Sequence, residues 1–126
     1  MKKYLVNILT GVTVLVLGIL IANYFNIYSL IPHFDKLLHF LGGFIVAWFF
    51  SIFFANDLAG FSRFKRLLIL AAMTALIGVF WEFAEYLSNV YSSPLFKHFF
   101  FGGSLSDTLT DLLSDIIGGV IFGLFF

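Results

Sequence analysis

Apolar residues run along the chain in four long blocks, and polar residues collect between them. The blocks cover about 4–23, 36–54, 67–86 and 107–126. Each is about 20 residues long, the length a helix needs to cross a bilayer. No alternation of the kind that builds barrel strands breaks them up. The connectors 26–35, 55–66 and 88–106 are polar or carry breakers, among them Pro32, Pro94, Gly102 and Gly103. The pattern predicts an all-α polytopic membrane protein, with one four-helix transmembrane domain over residues 1–126. The first block follows Lys2 and Lys3, as a secretory signal's apolar region would. It is longer than such a region and has no A-x-A-like site after it, so it reads as a retained helix.

Lysine and arginine in short loops set the direction of insertion. Lys2, Lys3, Arg63, Lys65 and Arg66 fall on one side of the four spans, against Lys36 and Lys97 on the other. The five-cation side is expected to be cytoplasmic, with both termini inside. Tyr4, Tyr24, Tyr28, Tyr86 and Tyr91 fall near the expected interfaces.

Composition narrows the class. Apolar residues make up 61% and charged residues 11% of the 126, where soluble domains average about 45–50% and about 25%. The mean hydropathy is +1.05. A chain this short has too little interior to hide so much apolar side chain from water. A soluble globule, a disordered chain and a nucleic-acid binder with a basic face are therefore excluded. No cysteine is present, which removes disulfides and thiolate metal or redox chemistry.

The net charge is zero, but the charges are not mixed. Asp35, Glu82, Glu85, Asp107, Asp111 and Asp115 all map to the outer half, as do His33, His39 and His98; Asp57 alone is an inner acid. Asp107, Asp111 and Asp115 recur every four residues and share one helix face, spanning about 12 Å of depth. Asp35 and His39 are also four apart, and Glu82 and Glu85 three apart. Asp35 and Asp107 each admit a plain reading as a helix N-cap, the latter with Ser104 and Ser106 nearby. Glu82 and Glu85 do not, because they sit near a helix C-terminus, where the dipole disfavours anions. Asp111 and Asp115 lie too deep to cap. An acid in a hydrocarbon span is costly and usually faces the bundle interior at a functional site. Protonated acids acting as interhelical glue are the plain alternative. Lys36 reads as interfacial, with Glu85 or Asp107 as possible partners, and Trp81 as packing. The glycines at 42, 43, 78, 118, 119 and 123 read as points of close helix approach. Gly119 and Gly123 form a G-x-x-x-G, a weak signal for a homodimer or for packing within the chain.

Several carboxylates crowded in a low-dielectric site need a bound cation or shared protons. Oxygen ligands with one imidazole suit Mg²⁺, Mn²⁺ or Ca²⁺, and Zn²⁺ or Fe²⁺ through His39. Glu82, Asp111 and Asp115, with Asp107 and Asp35, are the expected ligands, and His39 or Glu85 the expected base of an enzyme. Such a metal would meet lipid head groups or lipid-linked phosphates of the envelope. The D-x-x-x-D-x-x-x-D run is locally similar to membrane prenyl- and phospho-alcohol transferases, but the D-G-x-x-A-R portion of the latter is missing. No arginine lies on the acidic side to hold a phosphate directly. A proton- or cation-coupled carrier is the second class, although Thr74 is the main inner-half polar candidate on the third span. A non-catalytic scaffold is the third class.

Three segments carry a family likeness: D-K-L-L-H-F-L-G-G-F from Asp35, W-E-F-A-E-Y from Trp81 and D-T-L-T-D-L-L-S-D-I-I-G-G from Asp107. Together they resemble the VanZ-like and YjdF-like small bacterial membrane proteins. The W-E-x-x-E and D-T-x-x-D forms are more similar to the YjdF-like branch. The resemblance marks Asp35, His39, Glu82, Glu85, Asp107, Asp111 and Asp115. Asn often stands at the position of Asp115 in the VanZ-like pattern. The resemblance implies a bacterial cytoplasmic membrane location, glycopeptide resistance for some members and no assigned activity for most.

Overall fold

The computed structural model describes residues 2–25, 27–91 and 103–126. The expectations on Pro94, Lys97, His98 and Gly102 lie outside the described residues, as do the side chains of Lys2, Lys3, Tyr4 and Tyr28. The described chain forms α1 (Lys2–Tyr24), α2 (Ile27–Leu30), α3 (Phe34–Phe53), α4 (Ala55–Leu58), α5 (Arg63–Tyr91) and α6 (Leu105–Phe125), with no strand among the described residues. Helices α3, α5 and α6 are long and apolar enough to cross a membrane. Helix α1 has 23 residues, and its apolar stretch Leu9–Ala22 is shorter.

Helix ends depart from the hydropathy edges for local reasons. Helix α5 begins at Arg63, so the basic segment forms its first turn, and it runs past the expected end at 86 to Tyr91. Asn89 Nδ2 donates to the Glu85 carbonyl at 3.0 Å in that last stretch. Polarity marks where the hydrocarbon ends, not where the backbone ladder stops. Helix α3 begins one residue before Asp35, after His33 in the left-handed region at φ 62°. Asp35 therefore lies in the first turn and is not the cap. Ser104 caps α6, its hydroxyl accepting from the Asp107 amide at 3.3 Å. Asp107 is likewise a first-turn residue, placed where the helix dipole favours an acid.

Burial is inverted relative to a soluble protein. Ala22, Ala47, Leu58 and Leu70 are the buried apolar side chains among the described residues, while His39, Ser51, Thr74, Glu85, Asp111 and Asp115 are the buried polar ones. Leu109, Leu113, Phe80 and Phe83 face outward, more than half exposed. Side chains that lipid can solvate need no protein cover; ionisable ones do.

Glycine sets the helix spacing. A Cβ at Gly43 would strike the Asp115 carbonyl, and one at Gly118 the Phe40 carbonyl, so α3 and α6 meet backbone to backbone. In a bilayer, where apolar burial gives helices little reason to associate, such close approach is a main source of packing energy. Gly119 and Gly123 face Thr74 and Leu67 of α5, so the G-x-x-x-G stripe is used within the chain. The same contacts fix direction. Helix α6 runs parallel to α3, with Phe44 and Phe122 edge to face at 5.2 Å, and antiparallel to α5. Helix α1 runs antiparallel to α3, with Gly11 beside Ile45 and Gly18 beside Leu38. Its packing is on α3; among the described residues no comparable packing joins it to α5 or α6. The Arg66 guanidinium lies 5.7 Å from the Phe126 ring, so the basic start of α5 and the end of α6 share one end of the bundle. The acids of α3, α5 and α6 share the other.

Candidate functional site

At that acidic end, α3 supplies Asp35, Lys36 and His39 from two successive turns. Helix α6 supplies Asp107, Asp111 and Asp115 from one face, and α5 supplies Glu82 and Glu85 with Trp81. The glycine contact between α3 and α6 brings the first two sets together.

Lys36 is the hub of one flank. Its ammonium lies 2.5 Å from Asp107 Oδ1, 2.6 Å from Asp111 Oδ1 and 3.7 Å from Asp35 Oδ2. Asp111 is 2% exposed, deep enough that an ionised carboxylate there needs such a partner. His39 Nδ1 lies 3.2 Å from Asp115 Oδ2. An ionised carboxylate only accepts, so an ionised Asp115 places a proton on Nδ1. That leaves Nε2 facing inward, 3.9 Å from Asp111 Oδ1 and 4.0 Å from Asp35 Oδ1.

Among the described residues the other flank has no lysine. Glu85 is buried and accepts from the Trp81 indole at 2.9 Å. Glu82 turns one oxygen, Oε1, into the protein, where it is buried without a hydrogen-bond partner. His39, Glu82 and Glu85 each offer a ligand atom within 4.8 Å of the others, and so do Asp35, His39 and Asp111. The imidazole belongs to both groups.

Two cavities flank the cluster. One of about 450 Å³ is polar, with His33, Lys36, Ser104, Ser106, Asp107 and Thr110 in its wall. The other, of about 110 Å³, reaches from Asp35, His39, Glu85 and Asp115 down between apolar side chains of α1, α3 and α5.

The structure gathers the expected acids differently from a single ligand trio. Glu82 stands with His39 and Glu85, Asp111 with Asp35 and His39, Asp115 on the imidazole, and Asp107 on Lys36. Trp81 acquires a role that sequence reasoning missed, its indole serving Glu85. Lys36 takes Asp107, one of the two partners expected for it, and adds Asp111, so that it bridges α3 to α6. The signal for Lys36 is its place one residue after Asp35, on the only described outer turn that carries a cation. Thr74 offers no onward path, because its hydroxyl donates to the Leu70 carbonyl at 2.9 Å. Ser51 is spent likewise on the Trp48 carbonyl, at 2.7 Å.

No curated protein and no solved structure matches the chain. A family model matches residues 2–126. The likeness of the three acidic segments implied a family of small membrane proteins, and the match supports that coarser statement without the VanZ-like or YjdF-like name. The chain belongs to the family described as Predicted membrane protein (DUF2238).

Proposed function

We propose that this is a four-span integral protein of a bacterial cytoplasmic membrane, with both termini cytoplasmic, whose α3–α5–α6 cluster binds a divalent cation near the outer leaflet. His39, Glu82 and Glu85 are the primary ligands, with Asp35 and Asp111 across the imidazole. Open positions on the cation take the phosphate of an envelope lipid or lipid-linked precursor. Mg²⁺, Mn²⁺ and Ca²⁺ suit the oxygen-rich set, and the imidazole admits Zn²⁺. The observation that carries this reading is Glu82 Oε1, a buried acceptor without a partner beside Glu85 and His39. Burying a charged acceptor unpaired is costly, and a cation there removes the cost. The test is Mn²⁺ binding by the purified protein in lipid nanodiscs, read by electron paramagnetic resonance. One ion per chain is expected, lost in Glu82→Gln. Unchanged binding in the Glu82→Gln, Glu85→Gln double variant overturns the reading.

A second reading, acids as interhelical glue, is favoured on the Lys36 flank, where one ammonium engages three carboxylates of two helices. It leaves Glu82 without an explanation. Proton- or cation-coupled conduction finds less support. Below Asp115, α6 has no polar side chain, and Ser51 and Thr74 are turned to their own helices.

A further inference from the structure

The smaller cavity is apolar along most of its wall. Its apolar walls are Ile19 of α1, Leu38 and Val46 of α3, and Ile77 of α5. Among the described residues helix α1 packs on α3 without comparable packing on α5, which leaves the seam between α1 and α5 as the place for a lateral mouth toward lipid chains. Ile77 and Trp81 line it yet remain 39% and 38% exposed, consistent with a lateral mouth.

The acidic end of this cleft has the opposite chemistry. Asp35, Glu85 and Asp115 line it, no described lysine or arginine does, and the His39 imidazole faces Asp115. Lys36 opens instead onto the polar cavity and is engaged by three acids. An anionic head group would meet carboxylates here; a cationic one would meet its complement. Trp81 also lines the cleft, and an indole is the best aromatic partner for an ammonium.

We infer that the cleft between α1 and α5 is a binding site for single-chain cationic amphiphiles, with the hydrocarbon chain between α1 and α5 and the ammonium head on Glu85, Asp35 and Trp81. The site goes beyond the divalent-cation reading: it shares Glu85 and Asp35 with that site but enters from the lipid side and needs no metal.

The probe is dodecyltrimethylammonium, titrated into the Trp48→Phe protein in phosphatidylcholine nanodiscs while Trp81 fluorescence is recorded. A saturable change is expected. Glu85→Gln should raise the half-saturating concentration at least tenfold. Val46→Phe, which fills the apolar part of the cleft and leaves every carboxylate in place, should raise it at least fivefold. Dodecyl sulfate should give no saturable change. If Glu85→Gln does not fold, Val46→Phe decides. Equal saturation by dodecyl sulfate, absence of saturation in the parent, or parent-like binding by Val46→Phe overturns the inference. Mn²⁺ binding on the same samples separates the two readings. Val46→Phe should keep Mn²⁺ while losing the amphiphile, and a parent that takes the amphiphile but no Mn²⁺ removes the metal reading alone.

Discussion

The two sides of His39 hold the same residue type to different ends. Toward the polar cavity, Asp35, Asp107 and Asp111 converge on the Lys36 ammonium. Toward α5, Glu82 and Glu85 meet no lysine or arginine among the described residues; an indole N–H serves one of them, and an oxygen of the other is buried without a hydrogen-bond partner. Carboxylates on the first side stabilise the fold because their charge is answered from within the chain. Those on the second cost stability until something from outside answers them, which is the usual mark of a site. An acid's depth in the bilayer therefore does not reveal its role; its counter-charge does.

The sharpest way to break this contrast is to remove the counter-charge. Lys36→Ala leaves Asp111 buried without its partner and should cost about 3–5 kcal/mol, seen as a large fall in thermal unfolding temperature in detergent. A loss below about 1 kcal/mol would place the two sides on the same footing. Gly118→Ala comes next. Its methyl meets the Phe40 carbonyl, α3 and α6 must separate, and overpacking of this kind costs about 1–3 kcal/mol. The Lys36 pairs should weaken with it, measurable as non-additivity with Lys36→Ala. Ser104→Ala removes the cap that fixes the first turn carrying Asp107 and should cost about 1 kcal/mol. The smallest change in stability is expected from Glu82→Gln, within about 1 kcal/mol, because the residue is half-buried and one of its oxygens, Oε1, has no hydrogen-bond partner to lose. That variant should nonetheless abolish Mn²⁺ binding. A destabilisation comparable to that of Lys36→Ala would show Glu82 to be structural.

Much of this was legible in the chain. Three spans follow from runs of about 20 apolar residues, and the gathering of seven ionisable side chains at one end of the bundle follows from four- and three-residue spacings on their helices. What stayed hidden depends on how one helix is set against another. Lys36 can be assigned to Asp107 and Asp111 only once the register of α3 on α6 is known. That register is set by the backbone contacts at Gly43 and Gly118, which spacing within a single helix does not encode. The placement of Glu82 with Glu85 and His39, and not with Asp111 and Asp115 as one trio, depends on the same rotation. The apolar run ends before the polar Ser88 and Asn89, yet α5 continues to Tyr91, with the Asn89 amide serving the Glu85 carbonyl of its own helix.

The parallel pairing of α3 with α6 has a consequence for synthesis. Lys36 and Asp107 are 71 residues apart. At about 5–20 residues per second, translation leaves roughly 4–14 s between them. Throughout that interval Asp35 is the one carboxylate of the finished cluster on α3 itself, so the nascent α3 enters the bilayer with its charges largely unanswered. The arrival of α6 then neutralises Lys36 and closes the backbone seam in a single docking event. A chain ending before Leu105 would therefore keep Asp35 alone of the three acids that surround Lys36 in the finished fold.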